Sequence, residues 1–186
     1  MPATGKGGLM TSTVLNSDDI QRAITRIAHE ILEKNKGLDN LALVGIRTRG
    51  VTFAERLQAK IQEIEKAKLD LGILDITLYR DDIGAAKQKP ELKKTAIDFS
   101  LEGRKIVLCD DVLFTGRTIR AAIDGIMDFG RPAMVQLAVL IDRGHRELPF
   151  RPDFVGKNIP TSREMRVQVE LKEIDGKDRV VVQNKE

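Results

Sequence analysis

KIVLCDDVLFTGRTIRAA, running from Lys105 to Ala122, holds in order a short apolar run, two adjacent carboxylates, a Thr-Gly-Arg-Thr turn and the opening of a helical pattern. Ile106, Val107, Leu108 and Cys109 are too few for a helix and suit a central strand covered on both faces. Asp110 and Asp111 then fall at that strand's carboxyl end, the edge at which open α/β sheets bind ligands. Thr115 and Thr118 bracket Gly116 and Arg117, ahead of apolar residues at helical spacing: Ile119, Ala122, Ile123, Ile126 and Phe129. The turn therefore lies at a helix N-terminus, where unpaired N–H groups and the positive dipole end favour an anion. A phosphate fits it, with Gly116 admitting close backbone approach and two hydroxyls as further donors. The carboxylates suit sugar hydroxyls, or a metal ion reached through water. Singly, the acids read as solvated loop residues and either threonine as a plain cap. In strand–turn–helix order they specify a cradle for a sugar phosphate. No G-x-x-x-x-G-K-[ST] run and no Rossmann glycine pattern occurs in the chain.

The chain has 186 residues, enough for one domain with a sizeable core or one domain plus a small appendage. A single cysteine excludes an internal disulfide, and two histidines without Cys/His spacing offer no zinc site. Cys109 reads as a small buried hydrophobe. MPATGKGGLMTST at the start lacks the charge and apolar pattern of a signal peptide, and no apolar run reaches membrane length. These features predict a cytoplasmic protein with no membrane partner and a flexible tail over residues 1–13, followed by one domain over 14–186. The net charge of +3 only weakly favours anionic partners, because the 31 Lys and Arg are nearly matched by 28 Asp and Glu.

Around the central segment, strands and helices alternate. Ser17 is a candidate N-cap for a helix reaching Gly37, with Ile20, Ala23, Ile24, Ile27, Ile31 and Leu32 on one face. Leu41 to Ile46 reads as a buried strand, Phe53 to Ile64 as a helix, Ile73 to Tyr79 as a strand and Met134 to Ile141 as another buried strand. Asp81 to Thr95 is polar and lysine-rich and predicts a flexible arm. Arg166 to Glu173 and Arg179 to Gln183 flank Asp175-Gly176, a hairpin signal. The pattern predicts an α/β fold with a central, mostly parallel sheet flanked by helices and a small hood or hairpin region.

Val107 to Thr118, V-L-C-D-D-V-L-F-T-G-R-T, resembles the phosphoribosyl-pyrophosphate (PRPP) motif of type I phosphoribosyltransferases. TRIAHEILEKNKG from Thr25, LVGIRTRGV from Leu43, DITLYRDD from Asp75 and QLAVLIDRGHRELPFRPDFVGKNIPTS from Gln136 narrow the resemblance. Together they are similar to the PyrR family, RNA-binding regulators of pyrimidine operons that are also uracil phosphoribosyltransferases. The resemblance covers Val14 to the C-terminus. It implies the type I phosphoribosyltransferase fold, the reaction of uracil with PRPP to give UMP and diphosphate, Mg²⁺ as cofactor with PRPP, and a homodimer or higher oligomer. It also implies binding of pyrimidine-operon leader mRNA under control of UMP or UTP. The alternative is a dedicated nucleobase-salvage transferase with no RNA role, and a purine-salvage enzyme is a further reading.

The resemblance carries roles to individual residues. Val112, Leu113, Phe114, Thr115, Gly116, Arg117 and Thr118 form the phosphate loop, with Asp110 and Asp111 on the ribose and, through water, Mg²⁺. Thr48, Arg49 and Gly50 form the pyrophosphate loop, joined by Arg80; the plain readings are a basic βα turn and an ion pair of Arg80 with Asp81 or Asp82. Some phosphoribosyltransferases carry an acid where this chain has Phe114, so a carboxylate base at that position is ruled out and Phe114 is read as shielding the base or ring. Asp142, Arg143 and the backbone at Val155 are implied in uracil binding, against a structural Asp142–Arg143 ion pair. PDFVG, Pro152 to Gly156, resembles a base-stacking segment of purine phosphoribosyltransferases. Arg22, Thr25, Arg26 and His29 make a polar stripe on the first helix that reads from charge alone as a solvated face. The family implies an RNA surface there, joined by His145, Arg146 and Arg151. With no Trp and one Tyr, contacts to RNA shape and phosphates are expected over aromatic stacking.

Overall fold

A computed structural model describes residues 11–81 and 95–184. Most of the expected arm, and residues 1–10 of the expected tail, lie outside the described residues. The chain runs β1 (Thr11–Leu15), α1 (Ser17–Asn35), β2 (Leu41–Ile46), α2 (Arg49–Glu65) and β3 (Asp70–Leu74). After a 3₁₀ turn at Thr77–Tyr79 come β4 (Lys105–Leu113), α3 (Arg117–Phe129), β5 (Met134–Asp142), β6 (Phe154–Asn158), β7 (Met165–Glu170), α4 (Lys172–Asp175) and β8 (Arg179–Asn184). Among the described residues no helix is long and apolar enough to cross a membrane.

Five strands form a parallel sheet in the order β3-β2-β4-β5-β6. From β2 the chain crosses to β3 on one side, while β4 lies on the other, so the order reverses between β2 and β4. A crevice opens at the carboxyl ends of strands that part in this way. Register makes it deeper. β2 stays paired with β4 as far as Gly45 opposite Cys109, whereas β4 stays paired with β5 to Leu113 opposite Asp142. Asp110 and Asp111 thus lie in the carboxyl-terminal part of β4, as expected, with the strand running on to Leu113, on a length bordered on one side only.

Two apolar clusters cover the sheet. Ile20, Ile24, Ile27 and Ile31 of α1 and Phe53, Leu57 and Ile61 of α2 pack on one face with Leu43, Val107 and Leu140. Ile119, Ala122 and Ile126 of α3 pack on the other with Val44, Leu108 and Val139. Burial on both faces explains the unbroken apolar runs of the central strands. α1 begins one residue earlier than Ser17 predicts. Asn16 is the N-cap, its side chain accepting from Asp19 N at 2.9 Å while the Asp19 carboxylate accepts from Asn16 N at 3.0 Å.

A second sheet, antiparallel in the order β1-β8-β7, forms the hood. Residues 11–13, expected in the tail, pair with β8 from Thr11 opposite Gln183. The strand read over Arg166 to Glu173 stops at Glu170. A one-turn helix, α4, replaces the tight hairpin and is closed by left-handed Gly176, whose N–H reaches the Lys172 carbonyl. Two arginines of α2 moor this hood. Arg56 pairs with Glu173 at 2.5 Å and Asp178 at 2.7 Å, and Arg49 with Asp175 at 2.7 Å. The strand expected over Ile73 to Tyr79 ends at Leu74, because the Asp75 carboxylate accepts from both N–H and Oγ1 of Thr77 and turns the backbone.

α2 starts at Arg49, four residues before the apolar pattern begins, so Thr48-Arg49-Gly50 is an N-cap and first turn and not a free loop. That turn lies against β4. A Cβ on Gly50 would stand 2.6 Å from the Cys109 carbonyl oxygen and 3.1 Å from Asp110 Cα, both fixed backbone. Gly50→Ala is therefore expected to destabilise by ~1–3 kcal/mol, the usual cost of overpacking. Urea unfolding would read this as a lower midpoint at unchanged slope.

Candidate active site and nucleic-acid interface

The β2/β4 crevice holds two adjoining cavities. One, of about 340 Å³, is lined by Arg47, Thr48, Asp75, Thr77, Arg80, Asp110, Asp111 and Thr118 among others. Its neighbour, of about 350 Å³, follows the turn from Leu113 to Ile119 and shares Arg80, Asp110, Val112 and Thr118 with it. Acids, basic residues and the phosphate turn therefore meet in one cleft.

Asp110 is almost fully buried and Asp111 half-buried. Burial, followed by the charge of Asp111, holds the Asp110 carboxyl well above the ordinary carboxylate range. Burial also raises Asp111, opposed by its side-chain hydrogen bond with Asp110, the Val112 N–H at 2.9 Å and the positive charge of Arg49. The pair concentrates oxygen ligands at one point of the cleft. Among the described residues no three His, Cys, Asp or Glu side chains gather to cage a metal. Two carboxylates fit Mg²⁺, which takes its remaining ligands from phosphate oxygens and water.

Gly116 adopts φ +92° as the N-cap of α3, and Thr115 Oγ1 accepts from Arg117 N at 3.3 Å. The Thr115 carbonyl accepts from the N–H groups of Glu147 and Leu148 at 2.9 and 3.0 Å, so the phosphate turn is stitched to the segment after β5. Arg117 points outward to Asp81 and Glu147, each at 2.9 Å.

Arg49 does not line the cleft. Its guanidinium is held by Asp175 in the hood, and Arg47, across a cis Arg47–Thr48 peptide, lines the cleft in its place. Nothing in the sequence distinguishes the two, since the partner of Arg49 lies 126 residues away. Asp75 and Thr77 were likewise missed, because their turn was read as a strand. Arg80 does reach the cleft, from the residue after the 3₁₀ turn and not from a strand end.

The residues expected around uracil are not brought together in this cleft. Asp142 accepts from Arg146 at 2.5 Å and from Gly144 N at 3.0 Å, so the ion pair in this segment joins Asp142 to Arg146 and not to Arg143. Arg143 is buried, stacks on the Phe114 ring with its central carbon 3.9 Å from the ring centroid, and donates to the Ser162 carbonyl at 2.9 Å. The Val155 carbonyl accepts from Arg26 at 3.1 Å. PDFVG does not offer a stacking ring. Phe154 is buried in the core under the Lys34 ammonium, at the start of β6.

A separate groove of about 390 Å³ is lined by Arg26, Glu30, Asp142, Arg151, Val155 and Asn158 among others. It brings α1 beside the segment after β5, and of the residues expected on an RNA surface Arg26 and Arg151 line it. The basic residues differ in what holds them. Arg22 pairs with Asp19 at 2.8 Å, and Arg26 pairs with Glu30 at 2.8 Å while also donating to the Gly156 carbonyl at 2.6 Å. Arg146 is spent inside the protein on Asp142 and on the Phe114 and Phe150 carbonyls. His145 is half-buried, its Nε2 2.5 Å from the Thr161 carbonyl, which makes that nitrogen the donor. His29 and Arg151 are exposed, and Thr25 is partly so.

Residues 10–174 match the family described as "Phosphoribosyl transferase domain". The chain is 59% identical over 169 residues to "Bifunctional protein PyrR" of Pelotomaculum thermopropionicum, covering 91% of this chain and 93% of that one. It is 61% identical over 169 residues to the protein of the same name from Acetivibrio thermocellus, covering 91% and 92%. Among solved structures it is similar to a hypoxanthine phosphoribosyltransferase from Staphylococcus aureus, with TM-score 0.69 and 19% identity over 94% of this chain and 91% of that one. The hypoxanthine phosphoribosyltransferase of Trypanosoma cruzi gives TM-score 0.69 and 20% identity over 94% and 97%. At such identities the solved structures speak for the fold alone, whereas the matched domain and the 59–61% identical relatives speak for lineage: the chain belongs to the phosphoribosyl transferase domain family and, within it, to the PyrR family.

Proposed function

We propose that this protein transfers the ribose phosphate of PRPP to uracil, forming UMP and diphosphate, and binds pyrimidine-operon leader RNA in response to uridine nucleotide. The observation that carries the transferase reading is the meeting of the acid pair, the phosphate turn and the basic residues Arg47 and Arg80 in one crevice. The turn at Thr115 to Thr118 presents the N-terminal N–H groups of α3 to the 5′-phosphate. Asp110 and Asp111 accept from the ribose hydroxyls. As C1 loses its bond to pyrophosphate, positive charge grows on the ribose ring and negative charge on the leaving group. Arg47 and Arg80 then oppose the leaving charge, and the buried acids favour the cationic ring. Asp110 and Asp111 would hold, through water, the Mg²⁺ that accompanies PRPP, and the ion would supply positive charge against the leaving group. Phe114 lines the cleft beside the phosphate turn, where it shields the reacting centre from water. No side chain is needed as nucleophile, because orientation and charge compensation supply the rate.

The RNA reading rests on α1 and the segment after β5 sharing one groove. Arg151, exposed in the groove, and His29, exposed on α1 outside its lining, are the contacts to phosphate and base edges. Arg26, half committed to the β6 carbonyls, sets the spacing between the two elements.

Asp110→Asn together with Asp111→Asn is expected to cut UMP formation from uracil and PRPP by about 10²-fold or more. A parental rate in the double variant would refute the assignment, and IMP formation from hypoxanthine at a comparable rate would move the protein to purine salvage. The same chemistry predicts a stability cost. Asp110 binds its proton more tightly folded than unfolded, so its contribution to stability falls as pH rises above about 4. Asp110→Asn removes that fall. Without ligand its melting temperature should exceed the parent's near pH 7 by ~2–4 °C for each kcal/mol recovered. The gap should close towards pH 4, and also on adding Mg²⁺ and PRPP, which stabilise the parent preferentially. On the RNA side, His29→Ala with Arg151→Ala should weaken leader binding at least ~10-fold at fixed salt and flatten its salt dependence, with turnover unchanged. Equal affinity of the parent for leader and scrambled RNA in the presence of UMP would remove the regulatory role.

A further inference from the structure

Phe114 occupies an unusual position for a residue of a phosphate turn. It lines the nucleotide cleft, yet its ring is gripped from behind by the segment that reaches the RNA groove. Arg143 covers one ring face at 3.9 Å, and the His145 ring meets it edge-on at 6.3 Å with an interplanar angle of 81°. The Phe114 carbonyl accepts from Arg146 at 3.0 Å. One residue further, the Thr115 carbonyl takes the Glu147 and Leu148 N–H groups.

The contact with Arg143 is the one that cannot be given up cheaply. Among the described residues no carboxylate lies within ion-pair distance of this buried guanidinium, its Nε has no hydrogen-bond partner, and the Ser162 carbonyl is its single acceptor. A buried cation so poorly compensated depends on the electron-rich ring face. If Phe114 moved alone it would strip Arg143 of that cover, so Phe114 and Arg143 move together. Arg143 carries the rest with it. Its carbonyl accepts from Thr161 Oγ1 at 3.1 Å, the Thr161 carbonyl holds His145, and Arg146 ties Phe114 to Asp142, which lines the RNA groove with Arg26 and Arg151.

We propose that Phe114 is a positioning residue of the RNA groove: nucleotide in the cleft sets the Phe114 ring, and the stacked Arg143 and His145 pass that setting to the segment carrying Arg151. The proposal rests on the reading of that groove as the RNA surface. It identifies the device by which one ligand alters affinity for the other, with a reciprocal effect required by linkage.

The test is the coupling ratio, the leader-RNA Kd without UMP divided by the Kd at saturating UMP, for the parent, Phe114→Leu and Phe114→Tyr. Coupling between protein sites typically spans about 5- to 150-fold. The parent is expected in that range, Phe114→Leu below about 2-fold, and Phe114→Tyr, which keeps the ring, close to the parent. A merely structural role for Phe114 would change the Kd values and leave their ratio alone. The chain has only two histidines, so the His145 ring signal can be followed by NMR during UMP titration without RNA. It should shift in the parent and in Phe114→Tyr, and stay still in Phe114→Leu at saturating UMP. An undiminished ratio in Phe114→Leu, or a His145 signal that ignores UMP in the parent, overturns the proposal. If the parent binds leader no better than scrambled RNA while the ring signal still follows UMP through Phe114, the transmission within the protein stands and the RNA reading falls.

Discussion

Two carboxylates on consecutive residues of a parallel strand, at the point where the neighbouring strand stops, are the constraint around which this molecule is arranged. β4 must outrun β2 to expose them, and α2 must begin close enough to close the crevice from the side. That second demand is met by Gly50, whose missing side chain lets the first turn of α2 rest on the Cys109 carbonyl. The acids are buried, mutually repelling and raised in pKa, which is costly in a protein free of ligand. Such cost is retained where a function brings in a cationic partner that draws the acids into their charged form. A metal ion carried in by a phosphorylated sugar, and a ribose that becomes cationic in the transition state, are partners of that kind.

The arginines are divided among tasks by the carboxylates and carbonyls they meet. Arg49 and Arg56 hold the hood to α2, Arg26 holds α1 to β6, and Arg146 holds the phosphate turn to the segment after β5. Arg47 and Arg80 line the reactive cleft. A motif scan treats these residues alike, although their energetic roles differ. Removing a cation such as Arg56 leaves Glu173 and Asp178 facing each other, a structural loss, whereas changing Arg151 alters only what the surface attracts.

What was legible in the sequence followed from short-range rules. The apolar run before Asp110, the glycine in the phosphate turn and the helical spacing after Thr118 act within a few residues, and each is found where it was expected except at Phe129, which is exposed at the end of α3. The stripe from Ile20 to Leu32 was legible for the same reason. Errors arose where a side chain overruled the pattern locally or a partner lay far away. Asn16 took the cap from Ser17 because Asp19 completes a reciprocal pair of bonds with it. Asp75 ends the strand expected to reach Tyr79 by turning the backbone at Thr77. Phe154 looked like an aromatic platform in a motif and became core, since β6 pairs with β5 and turns that ring inward. The roles of Arg49 and Arg143 depend on Asp175 and Phe114, and no local rule brings those residues together.

The phosphate turn of this chain is tied down more firmly than anion binding requires. A helix N-terminus and a glycine are enough to hold a phosphate, yet four successive residues, Phe114 to Arg117, are each engaged by or packed on the segment from Arg143 to Phe150. An enzyme that only releases product gains from a turn free to relax. A sensor gains from one whose displacement is felt elsewhere, because a ligand shifts a distant site only through groups that cannot move independently. Phe114 supplies a ring and not a carboxylate at this point of the turn, and that ring is what couples the turn to Arg143. An aromatic residue here therefore does more than leave the loop without a candidate base: it provides the face without which a buried guanidinium beside the cleft would have no adequate cover.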